Sequence, residues 1–107
     1  MPMPLKSPTL SEMASAIQEH LLRLEKDPTV NYPRKFDPKV GWTQAPLNTP
    51  GADTLFQNPS AEVHGRTIIV TYHQRYASAR LTRSRAETYL NWLNQGGVGT
   101  HMITGVK

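Results

Sequence analysis

The sequence predicts an α+β fold: an N-terminal helix, a long proline-rich ordered loop, then a β-hairpin, a second helix and a short final strand. Apolar residues recur at helical spacing near the N-terminus, a β-branched run lies in the second half, and all nine prolines fall between Pro2 and Pro59. We expect one α+β domain over 10–107, preceded by an extended arm over 1–9. Its helices should pack on one face of a small antiparallel or mixed sheet.

The first helix is predicted over 10–26. Thr9 and Glu12 have the spacing of a capping box, in which the hydroxyl and the carboxylate each accept a hydrogen bond from a backbone amide. Asp27 ends the helix, because the proline that follows it disfavours the helical conformation. The apolar face consists of Leu10, Met13, Ile17, Leu21 and Leu24.

Residues 27–60 contain six prolines and no convincing apolar period, so we expect an ordered loop without regular structure. The loop carries half of the chain's aromatic residues, which disordered linkers rarely contain. It is therefore predicted to dock, either on this domain's own core or on a partner. The docking residues are Tyr32, Phe36, Trp42 and Phe56.

Residues 61–107 are predicted to have the order ββαβ. Residues 67–72 are β-branched or aromatic throughout, 73–75 turn the chain, and 76–82 return as a second strand. The core-facing residues should alternate along both strands. Ile68, Val70 and Tyr72 share one face of the first strand, and Ala77, Ala79 and Leu81 share the face of the second strand that should point into the core.

The second helix is predicted over 85–95, with Ser84 and Glu87 as a second capping box. Glycines 96 and 97 should end it, since glycine adopts the left-handed conformation without steric cost. A short strand over 100–104 would then pair beside the hairpin. The helix residues that should face the sheet are Ala86, Tyr89, Leu90 and Leu93.

Positive and negative residues are unevenly distributed along the chain. Residues 1–62 carry six Lys/Arg against seven Asp/Glu, whereas residues 63–107 carry six against one. Guanidinium groups bind phosphates and carboxylates, and tyrosines stack on unpaired bases, so an arginine-rich hairpin favours an acidic partner. Arg83 and Arg85 gather at the start of the second helix, where the helix dipole disfavours cations, and this indicates an anion nearby. The candidate partner- or anion-binding residues are Arg75, Tyr76, Arg80, Arg83, Arg85 and Trp92.

Each of these residues also has an ordinary interpretation. The arginines can be solubilising surface residues, partly paired with Glu62 or Asp53. Trp92 can instead cover the edge of the core, because large aromatic residues dominate small cores.

Several classes of site are not indicated. The chain has no cysteine, its four histidines lack the spacing of zinc motifs, and no nucleophile elbow is present. The glycines of 96–105 follow a helix and precede a strand, the reverse of a phosphate-binding loop. We therefore expect no metal, no cofactor and no small-molecule substrate. The N-terminus lacks the apolar region of a secretory signal, and no apolar run could cross a bilayer, so a cytoplasmic protein without a membrane partner is expected.

The leading hypothesis is a non-catalytic binding protein, an accessory subunit or inhibitor that docks on a larger protein or nucleoprotein assembly. It would use the arginine-rich corner between hairpin and helix together with the aromatic loop. The alternative is a direct DNA- or RNA-binding domain. The second alternative is a small enzyme with its active site in residues 27–60, which a pocket lined by a histidine and a carboxylate would favour.

Overall fold

The computed structural model describes residues 8–73 and 77–100 and has the predicted α+β fold. In chain order the elements are α1 (Leu10–Glu25), β1 (Arg34–Asp37), β2 (Gly41–Gln44), β3 (Ser60–His64), β4 (Thr67–His73), β5 (Ala77–Thr82) and α2 (Arg83–Asn94). Strands β1 and β2 form a two-stranded antiparallel sheet, and β3, β4 and β5 form a three-stranded antiparallel sheet in that order. Within the ranges that the structure describes, no helix is long and apolar enough to cross a membrane.

Helix α1 begins and ends almost where the sequence predicts. Thr9 Oγ1 accepts a hydrogen bond from the amide of Glu12 at 3.0 Å, and Glu12 Oε1 accepts one from the amide of Thr9 at 2.8 Å, so the capping box is complete. The predicted apolar face lies in the core, with Leu10 half-buried at its margin. The fully buried members are Met13, Ile17, Leu21 and Leu24.

Both helices cover one face of the three-stranded sheet. On the central strand β4, Val70 and Ile68 lie opposite Ala79 and Leu81 of β5, and α1 packs against β3 and β4 while α2 packs against β4 and β5. These side chains, except the half-buried Ala79, form one buried cluster with the apolar faces of the helices. Both predicted strands of the hairpin are present, and Leu81 lies in the core as predicted, whereas Ala77 is half-buried outside the cluster.

Strand β3 was not predicted. Its sequence, SAEVH, has little β-branched character, and pairing with β4 rather than local propensity makes it a strand. Gly65 follows it with φ +63°, a conformation that glycine adopts readily in a tight hairpin turn.

Residues 27–60, predicted to lack regular structure, contain the β1–β2 hairpin. Each strand has four residues, too few for a detectable alternation. The turn between them is closed by Asp37, whose Oδ1 accepts a hydrogen bond from the amide of Lys39 at 2.8 Å. Gly41, with φ +85°, begins the return strand.

Asn31 ties this segment to the core. Its side-chain amide donates to the carbonyl oxygens of Glu25 at 2.9 Å and Phe56 at 3.0 Å, and its Oδ1 accepts from the amide of Phe56 at 2.8 Å. The end of α1 is thereby joined to the point where the segment returns. Phe56 itself is buried in the core.

Helix α2 begins two residues earlier than predicted. Its N-cap is Thr82, whose Oγ1 accepts from the amide of Arg85 at 3.3 Å, and not Ser84, which lies in the first turn. The sequence placed the helix too late because β5 continues into it without a loop. The predicted core face is confirmed, with Leu90 half-buried and Ala86, Tyr89 and Leu93 fully buried.

Three predictions concern residues that the structure leaves undescribed in whole or in part. Of the arm over 1–9, residues 8 and 9 are described. Of the turn over 73–75, His73 is described, and it ends β4. Of the strand over 100–104, only Thr100 is described, and it lies outside any strand.

Candidate functional site

The arginine-rich corner is engaged with the protein's own chain. Arg83 donates to the carbonyl of Pro8 and pairs with Glu87, at 3.5 Å between Arg83 Nε and Glu87 Oε2. Arg85 is half-buried beside it. Arg80 lies exposed on the outer face of the sheet, where its Nη1 donates to Thr67 Oγ1 at 2.9 Å. The structure therefore separates Arg80 from the corner. Of the other residues proposed for this surface, Arg75 and Tyr76 lie outside the described residues.

Trp92 lies at the edge of the core. Its ring stacks on Tyr89, with 5.9 Å between ring centroids, and packs against the buried cluster. It also lies so close to Gly97 that no side chain larger than hydrogen fits there. This placement matches the ordinary interpretation of Trp92 as a residue that covers the core edge.

The four aromatic residues assigned to the docking loop have different surroundings. Phe56 is 1% exposed and belongs to the core, which is one of the two docking surfaces that the sequence left open. Tyr32 is half-buried, and the guanidinium of Arg34 lies over its ring at 5.8 Å. Phe36 and Trp42 are 53% and 59% exposed. Only this last pair therefore offers its rings to solvent.

Phe36 and Trp42 are cross-strand neighbours on one face of the hairpin. Their ring centroids are 5.4 Å apart in an edge-on arrangement with an interplanar angle of 61°. Val40 in the turn is 68% exposed and Leu47 just after β2 is 80% exposed. Together these four side chains, which we call the hairpin surface, are the most exposed large apolar residues that the structure describes. They lie within a short stretch of chain, so the hairpin concentrates the exposed apolar area of the protein.

A cleft lies between the hairpin and one end of the three-stranded sheet. It has a volume of about 660 Å³. Arg34 and Trp42 contribute the hairpin wall, and Tyr72 and His73 contribute the wall at the end of β4. The remaining lining residues are Gly51, Asp53, Thr54, Leu55, Ala77 and Thr100.

His73 and Asp53 meet in this cleft, although they are far apart in sequence and share no motif. His73 Nε2 is 2.9 Å from Asp53 Oδ2. Asp53 Oδ1 accepts from the side chain of Gln57 and from the amide of Thr54, the latter at 2.9 Å. Both carboxylate oxygens are thus engaged. His73 Nδ1 has no exposed surface, so this ring nitrogen does not reach the cleft.

The pair therefore acts as a tie between the long segment and the sheet. Gln57, which also bonds Asp53, donates its own backbone amide to the carbonyl of Tyr72 at 2.8 Å. Burial raises the pKa of the Tyr72 hydroxyl above its ordinary value of 10.0. In the ranges 8–73 and 77–100, no group of three or more His, Asp or Glu residues is arranged to hold a metal ion.

A smaller hollow lies where the ends of the two helices meet. His20 Nε2 is 2.8 Å from Asn94 Oδ1, and Arg23 Nη2 is 2.9 Å from His20 Nδ1. Both ring nitrogens of His20 are therefore used within the protein, and the cluster holds the two helices together.

Comparison with known proteins found no matching protein-family model, no matching curated protein and no matching solved structure. What the chain does is therefore inferred from its own residues.

Proposed function

We propose that the protein is a non-catalytic binding protein that docks on a larger protein or nucleoprotein assembly through the hairpin surface. The observation that supports this most is the exposure of Phe36 and Trp42, at 53% and 59%, on a regular hairpin. Aromatic residues are enriched where protein interfaces carry most of their binding energy. An exposed pair of large rings, held in place by contact with each other, fits such an anchor.

Neither strand of the hairpin packs against a helix or strand outside the hairpin among the described residues. A two-stranded sheet is marginally stable alone in water. This one is joined to the rest of the segment by two backbone hydrogen bonds between Arg34 and Asp53, of 2.7 and 2.8 Å. Binding of a partner over its apolar face would add the cover that the domain does not provide.

The charges beside the hairpin surface favour an acidic partner. Arg34, Lys35 and Lys39 are basic, whereas the carboxylate of Asp37 is used in closing the turn. Charge complementarity of this kind speeds association and selects partners. The expected counterpart is thus an apolar patch with acidic residues around it.

A second candidate is direct binding of single-stranded nucleic acid. Exposed rings next to basic side chains are the arrangement on which bases stack while the backbone phosphates are neutralised. Phe36 and Trp42 would stack with bases, and Lys35 and Lys39 would contact phosphates. This differs from the corner arginines that the sequence favoured.

An enzyme is less well supported, even though the cleft contains the histidine and the carboxylate that such a site needs. A general base must have a nitrogen or oxygen within reach of the substrate. The Asp53 oxygens are engaged by His73, Gln57 and Thr54, and the second nitrogen of His73 is buried away from the cleft. The contacts favour a structural role for the pair.

The test is affinity capture from extracts of the source cells, with and without nuclease, using the double variant F36A/W42A. We expect it to lose the partner that the unaltered protein captures, because each anchor of this kind contributes about 2 kcal/mol or more. The matched control, L22A/V63A, removes two exposed apolar side chains elsewhere and should retain the partner. Equal retention by both variants would contradict the proposal.

The nucleic-acid alternative has its own measurement. Anisotropy of a labelled oligothymidylate should show binding that weakens steeply between about 50 and 200 mM salt, since phosphate contacts release counterions. K35Q/K39Q should reduce the salt dependence, and F36A/W42A should weaken binding at every salt concentration. No binding at low salt removes this alternative and leaves the protein partner.

A further inference from the structure

The cleft beside the hairpin has the dimensions of a ligand site. At about 660 Å³ it lies within the range of small-molecule pockets, which are mostly apolar with a few polar groups that orient the ligand. Its apolar lining comes from Trp42, Leu55, Tyr72 and Ala77. It is formed where three separate parts of the chain meet, and hydrogen bonds between them hold its shape.

Arg34 is the basic residue with a permanent charge among those that line the cleft. Both of its backbone hydrogen bonds go to Asp53, and its guanidinium lies over the ring of Tyr32. Among the residues that the structure describes, no carboxylate forms an ion pair with it. An arginine fixed in this way, with its charge not neutralised, matches the forked geometry of a carboxylate.

The other polar groups of the cleft are already used or neutral. The carboxylate of Asp53 is engaged by His73, Gln57 and Thr54, and the hydroxyl of Thr54 donates to the carbonyl of Phe56 at 3.2 Å. The Tyr72 hydroxyl is neutral at physiological pH, because even an unperturbed tyrosine has a pKa of about 10 and burial raises it further. Among the described residues that line the cleft, Arg34 is therefore the one whose charge is not paired with another side chain.

Trp42 and Tyr72 both line the cleft and offer it flat aromatic surface. The indole of Trp42 is more than half exposed and is held from one side by the edge contact with Phe36. Aromatic rings prefer offset-stacked or edge-on partners, and such contacts add to the free energy of burial. A flat ligand ring in contact with these side chains would cover apolar surface.

We propose that this cleft binds an aromatic carboxylate, with the ring beside Trp42 and the carboxylate on Arg34. The same chemistry occurs in a free arylalkanoic acid and in a chain terminus that ends in an aromatic residue. The site shares Trp42 with the hairpin surface, but its charge comes from Arg34 and the experiment below needs no docking partner, so the two proposals can fail separately.

The experiment is a titration of ¹⁵N-labelled protein, followed by NMR through the two indole signals, with Trp42 assigned by W42F. The probes are 3-phenylpropionate and the peptide acetyl-Gly-Gly-Phe with a free carboxylate, each compared with its amide. We expect the acids to shift the Trp42 signal with a Kd of about 1 mM or tighter, as befits probes of this size. Tighter binding of the free acid identifies a small-molecule site, and tighter binding of the peptide identifies a chain terminus.

R34Q should weaken binding of both acids about tenfold or more and leave the amides unchanged, since it removes a charge-assisted hydrogen bond. K39Q is the matched control, because Lys39 lies in the exposed turn of the hairpin and is not among the residues that line the cleft, and it should bind as the unaltered protein does. Intermolecular NOEs between the probe ring and the Trp42 indole test the pose without any variant. The proposal is overturned if acid and amide bind alike, if neither binds, or if K39Q weakens binding as much as R34Q.

Discussion

The three-stranded sheet and the β1–β2 hairpin show opposite outcomes for apolar side chains on antiparallel strands. In the larger sheet, Ile68, Val70 and Leu81 are fully buried because two helices cover that face. In the hairpin, Phe36 and Trp42 are more than half exposed, although their apolar side chains are larger than the buried ones of the larger sheet. Burial in this protein is therefore decided by which face a helix covers and not by the apolarity of the strand.

The strongest test of this difference is the same substitution in both regions. The chain has two phenylalanines, Phe36 in the hairpin and Phe56 in the core that the helices and the larger sheet enclose. F56A should lower the free energy of unfolding by about 3–5 kcal/mol, because it leaves a cavity in the core. F36A should change it by less than about 1 kcal/mol, since its ring is already half in water. Urea denaturation of both variants measures this, and similar losses would mean that the hairpin is part of the core.

A second test concerns the connection between the regions. N31A should cost about 2 kcal/mol, because it leaves the backbone groups of Glu25 and Phe56 without their partner. Asn91 is exposed on α2 and serves as the control, with a change within about 0.5 kcal/mol for N91A. Denaturation shows the loss, and hydrogen exchange should show faster exchange at the Phe56 amide. An N31A loss no larger than that of N91A would contradict the role of Asn31 as a tie.

A third test uses pH, because the core has a buried tyrosine. Burial, with a smaller effect of Tyr72, raises the pKa of Tyr89 well above its ordinary value of 10.0. A raised pKa in the folded protein means stability that is complete below pH 10 and lost as pH rises above it, by at most about 1.4 kcal/mol per pH unit and group. Y89F should flatten this alkaline decline. Y72F should flatten it less, since Tyr72 is only half-buried. A decline unchanged in Y89F would rule out Tyr89 as its source.

The smallest expected effect lies at the border of the larger sheet. T82A should cost about 1 kcal/mol, because Thr82 caps α2 through the amide of Arg85. S84A should change the free energy of unfolding by less than about 0.5 kcal/mol, as expected for an exposed site. Thermal unfolding followed by circular dichroism compares the two. The reverse order would restore Ser84 as the cap.

The two helices and strands β4 and β5 were predictable because their signals are local. The capping box of α1, the spacing of its apolar residues and the β-branched run of β4 are all visible in short windows of sequence. Strand β3 and the hairpin were missed for a common reason. Their segments are short, and they become strands through pairing with distant or adjacent partners rather than through their own propensity.

The candidate site was only partly predictable. Phe36 and Trp42 stood out as aromatics in a proline-rich segment, but nothing local distinguishes them from Phe56, which the core takes up. The cleft joins Arg34, Asp53 and His73 from three parts of the chain, so no spacing rule could indicate it. The arginines at the start of α2 were proposed because basic residues are dense there, but Arg83 donates a hydrogen bond to the carbonyl of Pro8.

The hydrogen bonds between Asn31 and Phe56 have a consequence for how this protein can change over evolutionary time. They bring the two ends of residues 32–55 together at the surface of the core, which the helices and the three-stranded sheet form with Phe56. A stretch closed in this way can lengthen at little cost, since doubling a loop costs only about 0.6 kcal/mol. Residues 32–55 can therefore be replaced, lengthened or changed in sequence while the helices and the three-stranded sheet stay the same. We expect homologous chains to keep the core pattern around Asn31 and Phe56 and to differ most in the hairpin, as recognition loops do on a constant scaffold.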